Sequence, residues 1–421
     1  MVHGQRNEVI DGGDCVSVSR LNPKSNSQNQ NLPQNMQNGP IQKGPAPDGA
    51  ELTKPETPAA NANGQLGRRT FMKRLSLGGT VLLPATTWLA SKTTTGAAEF
   101  RGLSRGDVAI LRLLAAAEII EWDLWLQYQE LALGNAAYQL ALESLDGDMP
   151  SYVHQNNRDE FSHQNFLNAY LVSKGHKPVS LEPFRSLPSS QATGANKTAK
   201  RLTNLMNLTV DTSWYTRYRS AGNPDFGDVF PQIVNLVDLP AIPNSDLPLP
   251  TDPDGFKIQL IANTAGFHFA TIEQGGLSLY DSLLPKATSP EVVKIVAGIG
   301  GSEIQHFEVW QDKAGNAPLV MDNSGNVLFP QLPIAPPQTP NGTDPADPMD
   351  TNQIMPRPCK FINADLPHCA VVRPTSIAQA GAVATFTGFA QSGLFAGQSD
   401  SFFDFIFALA KEADAARPEF G

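Results

Sequence analysis

The stretches "RDEFSHQNF" (158–166) and "GSEIQHFEV" (301–309) each set a glutamate three residues before a histidine: Glu160 and His163 in the first, Glu303 and His306 in the second. On a helix, residues three apart share a face. That face is otherwise apolar, continued by Val153, Leu167 and Tyr170 around the first pair and by Val296 and Trp310 around the second. A carboxylate and an imidazole in an apolar seam are costly unless something compensates them, and a bound cation would do so. With seven histidines in 421 residues, chance seldom produces this spacing even once.

Each pair is preceded by a segment with its own embedded glutamate. Glu121 lies on the stripe Leu114, Ala117, Trp125, Tyr128, and Glu273 on the stripe Gly266, Ala270, Leu277, Tyr280. In both, a tyrosine follows the glutamate by seven residues. The chain therefore reads as Glu-x6-Tyr then Glu-x-x-His, twice over, and two such half-sites facing each other make one site. Four carboxylates and two imidazoles from four helices are the ligand set of a dinuclear iron or manganese centre. The expected ligands are Glu121, Glu160, His163, Glu273, Glu303 and His306; no catalytic residue beyond them is assigned. Glu118, one turn before Glu121, reads as an accessory ligand or an ordinary helix-surface glutamate. Tyr128 and Tyr280 read either as hydrogen-bond donors to ligand carboxylates or as core aromatics.

Four long segments carry these residues: 103–133, 150–175, 255–284 and 289–312. Ser104 three before Asp107 resembles a capping box, and Gly134 follows the first segment. Ser151 and Gly175 bracket the second, while Ser289 and Pro290 supply a cap and first helical position for the fourth. Residues 134–149 join the first to the second, and only a few residues join the third to the fourth. A crossover over 176–255, rich in proline, separates the halves and cannot be helical in its Pro-rich run. The predicted fold class is all-α: two helical hairpins joined by one long crossover, a known four-helix-bundle topology, with a loop-rich C-terminal extension.

The stretches "EWDLWLQY", "RDEFSHQNFL", "ATIEQGGLSLYDSLL" and "GSEIQHFEVW" resemble the four helices of the ferritin-like superfamily, most closely its exported branch, the ferritin-like domain of desiccation-related proteins. The resemblance covers residues 104–312 and implies the same six ligands, with Glu160 and Glu303 bridging two metal ions. It departs from the family in the long crossover, the extension and the small-residue start "AGIGG" of the fourth helix.

Residues 1–66 form a polar leader rich in Asn, Gln, Pro and Gly that lacks the apolar content for a core. Residues 67–98 follow the layout of an export signal. Arg68, Arg69, Phe71 and Lys73 there resemble a twin-arginine (Tat) signal, with Met72 where Leu is commoner. This implies the Tat machinery as a partner and a periplasmic or cell-envelope location, the signal being either cleaved or kept as an anchor. The domain reading is completed by the bundle at 99–315 and the extension at 316–421. The net charge of −10 argues against nucleic acid or an anionic membrane as partner.

Cys359 and Cys369 form an even pair in a Pro-rich loop of a chain read as exported, so a disulfide is expected between them. His154, His176, His268 and His368 have no partner at ligand spacing and read as surface or satisfied core residues. "WYTRYR" (214–219) alternates aromatic and basic residues; without basic surroundings it reads as a packed loop. A last apolar segment, 399–416, reads as a helix covering the bundle or mediating self-association as a homo-oligomer. A carboxylate-rich dinuclear site favours oxidised iron and binds oxygen or peroxide. Two readings follow: a di-iron (or di-manganese) protein oxidising Fe(II) or consuming oxygen or peroxide in stress protection, or a non-catalytic envelope protein with a structural or vestigial metal site.

Overall fold

Why the first long helix starts where it does is visible at Ser104, whose Oγ accepts the Asp107 N–H at 3.0 Å. A computed structural model describes residues 102–218, 220–246, 255–332, 356–372 and 380–419, all within one compact unit, Ala62–Gly421. The leader and the export signal, with Arg68, Arg69, Phe71 and Lys73, lie outside the described residues. Among those described, no helix is long and apolar enough to cross a membrane.

Among the described residues the fold is all-α apart from one two-stranded antiparallel ribbon. Helix α1 (Arg105–Gly134) is followed by the short α2 (Ala136–Glu143), and then by α3 (Met149–Ser173). α2 was not foreseen; it begins because Asn135 Oδ1 accepts the Tyr138 N–H at 3.0 Å, a cap that closes one helix and opens the next. α3 starts two residues earlier than expected, from Asp148, and Gly175 leaves it in the left-handed conformation with φ +81°. The single turn α4 (Trp214–Arg217) lies in the crossover. α5 (Gly255–Leu283) and α6 (Pro290–Ala314) form the second hairpin. β1 (Val320–Met321) and β2 (Val327–Phe329) pair antiparallel, with Val320 opposite Phe329. α7 (Ala382–Gln391) and α8 (Asp400–Asp414) end the described chain.

α1 packs closely along α3 and α5 along α6, and the two hairpins meet through large side chains, Trp125 of α1 lying against Phe269 of α5 and Trp310 of α6. The cap of α6 shows one tie between them. Ser289 makes no side-chain cap; instead Asp107 of α1 accepts the backbone N–H groups of Thr288 at 2.8 Å and Ser289 at 3.0 Å. A carboxylate at a helix N-terminus is favoured by the helix dipole and satisfies donors that have no partner within the helix.

The crossover is packed rather than looped out. Buried Asp123 of α1 accepts from Leu202 N (2.9 Å), Thr203 N (3.0 Å), Thr203 Oγ1 (2.8 Å) and Arg185 Nη1 (2.5 Å). Gly134 and Gly194 bring backbone against backbone there: a Cβ on Gly134 would stand 2.6 Å from the Gly194 Cα. The packed-loop reading of 214–219 becomes, over the residues described, a short buried helix. Trp214, Tyr215 and Tyr218 are fully buried, and Trp214 packs tilted against Phe267 and edge-on against Phe307.

Among its described residues, the C-terminal extension carries α7, which was not foreseen, besides the expected terminal helix. α8 packs on α1 and α7, burying Phe402 and Phe407 with Phe403 and Phe405 at the margin, so the apolar helix covers its own chain. Asp414 of α8 caps α7 by accepting from Ala382 N (2.9 Å) and Val383 N (3.0 Å). The expected disulfide is corrected. Cys359 and Cys369 are both free thiols, although their backbones pair with N···O distances of 3.1 and 2.9 Å. The Cys359 side chain is buried beside Asn223, while that of Cys369 is exposed, so the two thiols occupy different surroundings.

Candidate metal centre

Six acidic and imidazole side chains from all four long helices converge on one buried spot. They form two overlapping groups that can each hold a metal ion: Glu118, Glu160, His163 and Glu303, and Glu160, Glu273, Glu303 and His306. Within each group the candidate donor atoms lie within 4.8 Å of one another. Glu160 and Glu303 belong to both groups.

Glu160 is at the middle. Its Oε2 lies 3.0 Å from His163 Nδ1 and its Oε1 3.2 Å from His306 Nδ1. His163 Nδ1 also approaches Glu118 Oε2 at 3.3 Å and Glu303 Oε1 at 3.6 Å. His306 Nδ1 approaches Glu273 Oε2 at 3.4 Å. Each histidine thus faces carboxylates of other helices through Nδ1. The carboxylates are fully buried, and the histidine side chains are 11% and 10% exposed.

One expected residue gives way to its neighbour. Glu118, not Glu121, supplies the α1 carboxylate in these groups. The two are one turn apart on the same stripe, and which turn lies level with the α3 pair depends on how α1 docks on α3. Tyr280 fixes Glu118 by donating to its Oε1. Glu121 is buried beside the others, facing the space left by Gly276, where an added Cβ would stand 3.4 Å from Glu121 Oε1 and 2.6 Å from Glu303 Oε2. Tyr128 is corrected as well: it bonds no ligand carboxylate, and its hydroxyl pairs instead with His268 Nδ1 at 2.7 Å. His154 meets Gln129 Oε1 at 3.1 Å, and His368 is exposed.

Other residues orient the cluster. Asn156 Nδ2 donates to Glu160 Oε1 (2.7 Å) and to Glu273 Oε1 (3.0 Å), while its Oδ1 accepts from Trp310 Nε1 at 2.7 Å. His306 Nε2 meets Asp159 Oδ2 at 3.1 Å, which turns Nδ1 inward. Asn156 and Asp159 were not singled out from sequence, although Asn156 sits one turn before Glu160 on the same face. Trp310 lay on the apolar stripe, but nothing in the sequence marked its indole N–H as structural.

The electrostatics follow from burying like charges together. Burial, with the neighbouring carboxylates, pushes Glu121 and Glu303 well above the usual range. Burial also raises Glu118, to about 7, against the pull of His163. It raises Glu273 too, although His306 opposes it. For Glu160 burial is overcome by hydrogen bonds and charges from both histidines, which hold it well below the normal value. Burial would lower His163, yet Glu118 and Glu160 raise it to about 10, and Glu273 with Asp159 and Glu160 likewise raises His306 well above normal.

Glu118 Oε2, Glu273 Oε2, both Glu303 oxygens and His306 Nδ1 are buried and make no well-formed hydrogen bond; the histidine nitrogens approach three of these oxygens only at 3.3–3.6 Å. Five unsatisfied atoms gathered at one point are expensive unless a cation takes them. The residues present therefore fit a metal ion: the donors are oxygen and imidazole nitrogen, the types that suit iron and manganese. Compared with models of protein families, with curated proteins and with solved structures, the chain gives no significant match.

Proposed function

We propose that this chain is a ferritin-like four-helix bundle that holds two metal ions, iron with manganese as the alternative, between its hairpins. The supporting observation is the cluster of buried carboxylates and inward-turned Nδ1 atoms in which two four-donor groups share Glu160 and Glu303. Glu118 and His163 would serve one ion, Glu273 and His306 the other, with Glu160 and Glu303 between them. A dinuclear iron centre of this kind supplies redox chemistry with oxygen or peroxide. The protein's own residues exclude bulk water, hold the donors on rigid helices and orient them through Asn156, Asp159, Tyr280 and Trp310. Glu118, held near neutrality, releases its proton as an ion binds, as any protonated ligand must. On this reading the activity is oxidation of Fe(II) or removal of oxygen or peroxide, and the site serves an exported, stress-protective protein.

Metal content per chain, followed by anaerobic titration with Fe(II) and exposure to oxygen, tests the proposal. About two ions per chain and oxygen-dependent oxidation of the bound iron are expected. Failure to take up iron or manganese would refute the site. Two ions without turnover would leave the structural role.

A further inference from the structure

On the opposite side of α5 from the cluster lies a cavity of about 680 Å³, walled by α4 and neighbouring crossover residues, α5 and α7. Its size falls in the range of small-molecule sites. Most of the wall is apolar, with Trp214, Ile272 and Phe389 contributing. Three of its polar residues, however, are more than nine-tenths buried and incompletely satisfied: Arg217, His268 and Gln274.

Arg217 is the informative one. Its Nη1 donates to Ser213 Oγ at 2.8 Å, and the nearest carboxylate oxygen, Asp211 Oδ2, stands 3.8 Å away. Asp211 directs its Oδ1 elsewhere, accepting from Gln232 Nε2 at 2.8 Å and from Ser213 N at 2.9 Å. Arg217 Nε has no acceptor. Asp211 balances the charge of this buried guanidinium but leaves Nε unbonded, and a planar carboxylate is the group its fork matches. His268 adds a directional cue. The buried Tyr128 hydroxyl pairs with His268 Nδ1 at 2.7 Å, and the other ring nitrogen, Nε2, has no partner.

We infer that this cavity binds a carboxylic acid with an apolar body, its carboxylate taken by Arg217 and its body lodged against Trp214, Ile272 and Phe389. The site is separate from the metal cluster and stands whether or not that cluster holds metal.

Octanoate and 4-phenylbutyrate are the probes, with octanamide as the uncharged counterpart, titrated into the full chain and followed by calorimetry and tryptophan fluorescence. Saturable one-to-one binding of at least one acid is expected, with octanamide about tenfold or more weaker than octanoate, as loss of a charge-assisted contact implies. Arg217→Met should remove that preference, octanoate falling to the level of octanamide. Gly388→Leu tests the cavity without touching the charge: Gly388 lines it and has open space around its Cβ position, so filling it should abolish binding of acid and amide alike. No saturable binding of either acid overturns the inference. So does equal binding of octanoate and octanamide, or Gly388→Leu binding like the parent.

Discussion

Gly276→Ala isolates the metal centre from the stability of the fold. The added methyl would stand 2.6 Å from Glu303 Oε2, a separation that real Cβ atoms do not adopt below 3.0 Å. The carboxylate must therefore retreat by at least about 0.4 Å, roughly twice the ±0.2 Å tolerance of metal–ligand distances. The obstacle is the far end of a flexible side chain, so the backbone need not move. Alanine is also favoured over glycine inside a helix by about 0.5–1 kcal/mol. The metal-free variant should thus melt at or above the parent temperature, while metal affinity falls by about tenfold to a hundredfold, the usual scale for disturbing ligand orientation. Gly298→Ala and Gly301→Ala serve as controls, because both positions on α6 have open space around the added carbon. They should raise stability slightly and leave metal binding alone. Competition titration with a chromophoric chelator, paired with thermal melts of the chelated proteins, reads both quantities. Parent-like affinity in Gly276→Ala would refute the placement of Glu303 in the site.

Three further outcomes are expected. Glu118→Gln should lower metal stoichiometry or affinity more than Glu121→Gln, measured by elemental analysis after dialysis; the reverse order would return the ligand role to Glu121. Burial holds His268 neutral, with its pKa lowered to about 3 from 6.5. The unfolded chain therefore binds this proton first, and the stability His268 contributes is full above pH 6.5 and is lost as pH falls toward 3, by a few kcal/mol in all. His268→Gln should flatten the parent's decline in unfolding free energy over that window, and an unchanged slope would contradict the assignment. Asp107→Ala removes the cap that α1 gives α6 and should cost about 1–2 kcal/mol in denaturant titration.

Much of the helical scheme was written in local chemistry. Ser104 marks a helix start by its side-chain cap, Gly175 a helix end by its positive φ and Pro290 a first helical position by its fixed φ, all acting over a few residues. The doubled Glu-x-x-His pattern located α3 and α6 and the side of each that faces inward. What escaped was set by contacts between distant segments. The repeat made Glu121 the formal counterpart of Glu273, but helix docking brings the turn carrying Glu118 into the cluster. Tyr128 obeys the same spacing as Tyr280, yet His268 lies within its reach and takes its hydroxyl. The crossover gave no periodic signal because its anchors are contacts with residues distant in sequence, chief among them buried Asp123, which collects four donors from chain some 60–80 residues away. Asp414 and Asp107 likewise cap helices remote in sequence, which no local pattern announces.

The division of the cluster between the two hairpins has a consequence for assembly. Neither hairpin alone owns a complete grip on an ion: one brings Glu118, Glu160 and His163, the other Glu273, Glu303 and His306. Tight retention on the proposed reading therefore begins only once both halves have closed on each other. Occupancy becomes a stamp of completed folding, and stripping the ion should loosen the joint between the halves before it loosens either half.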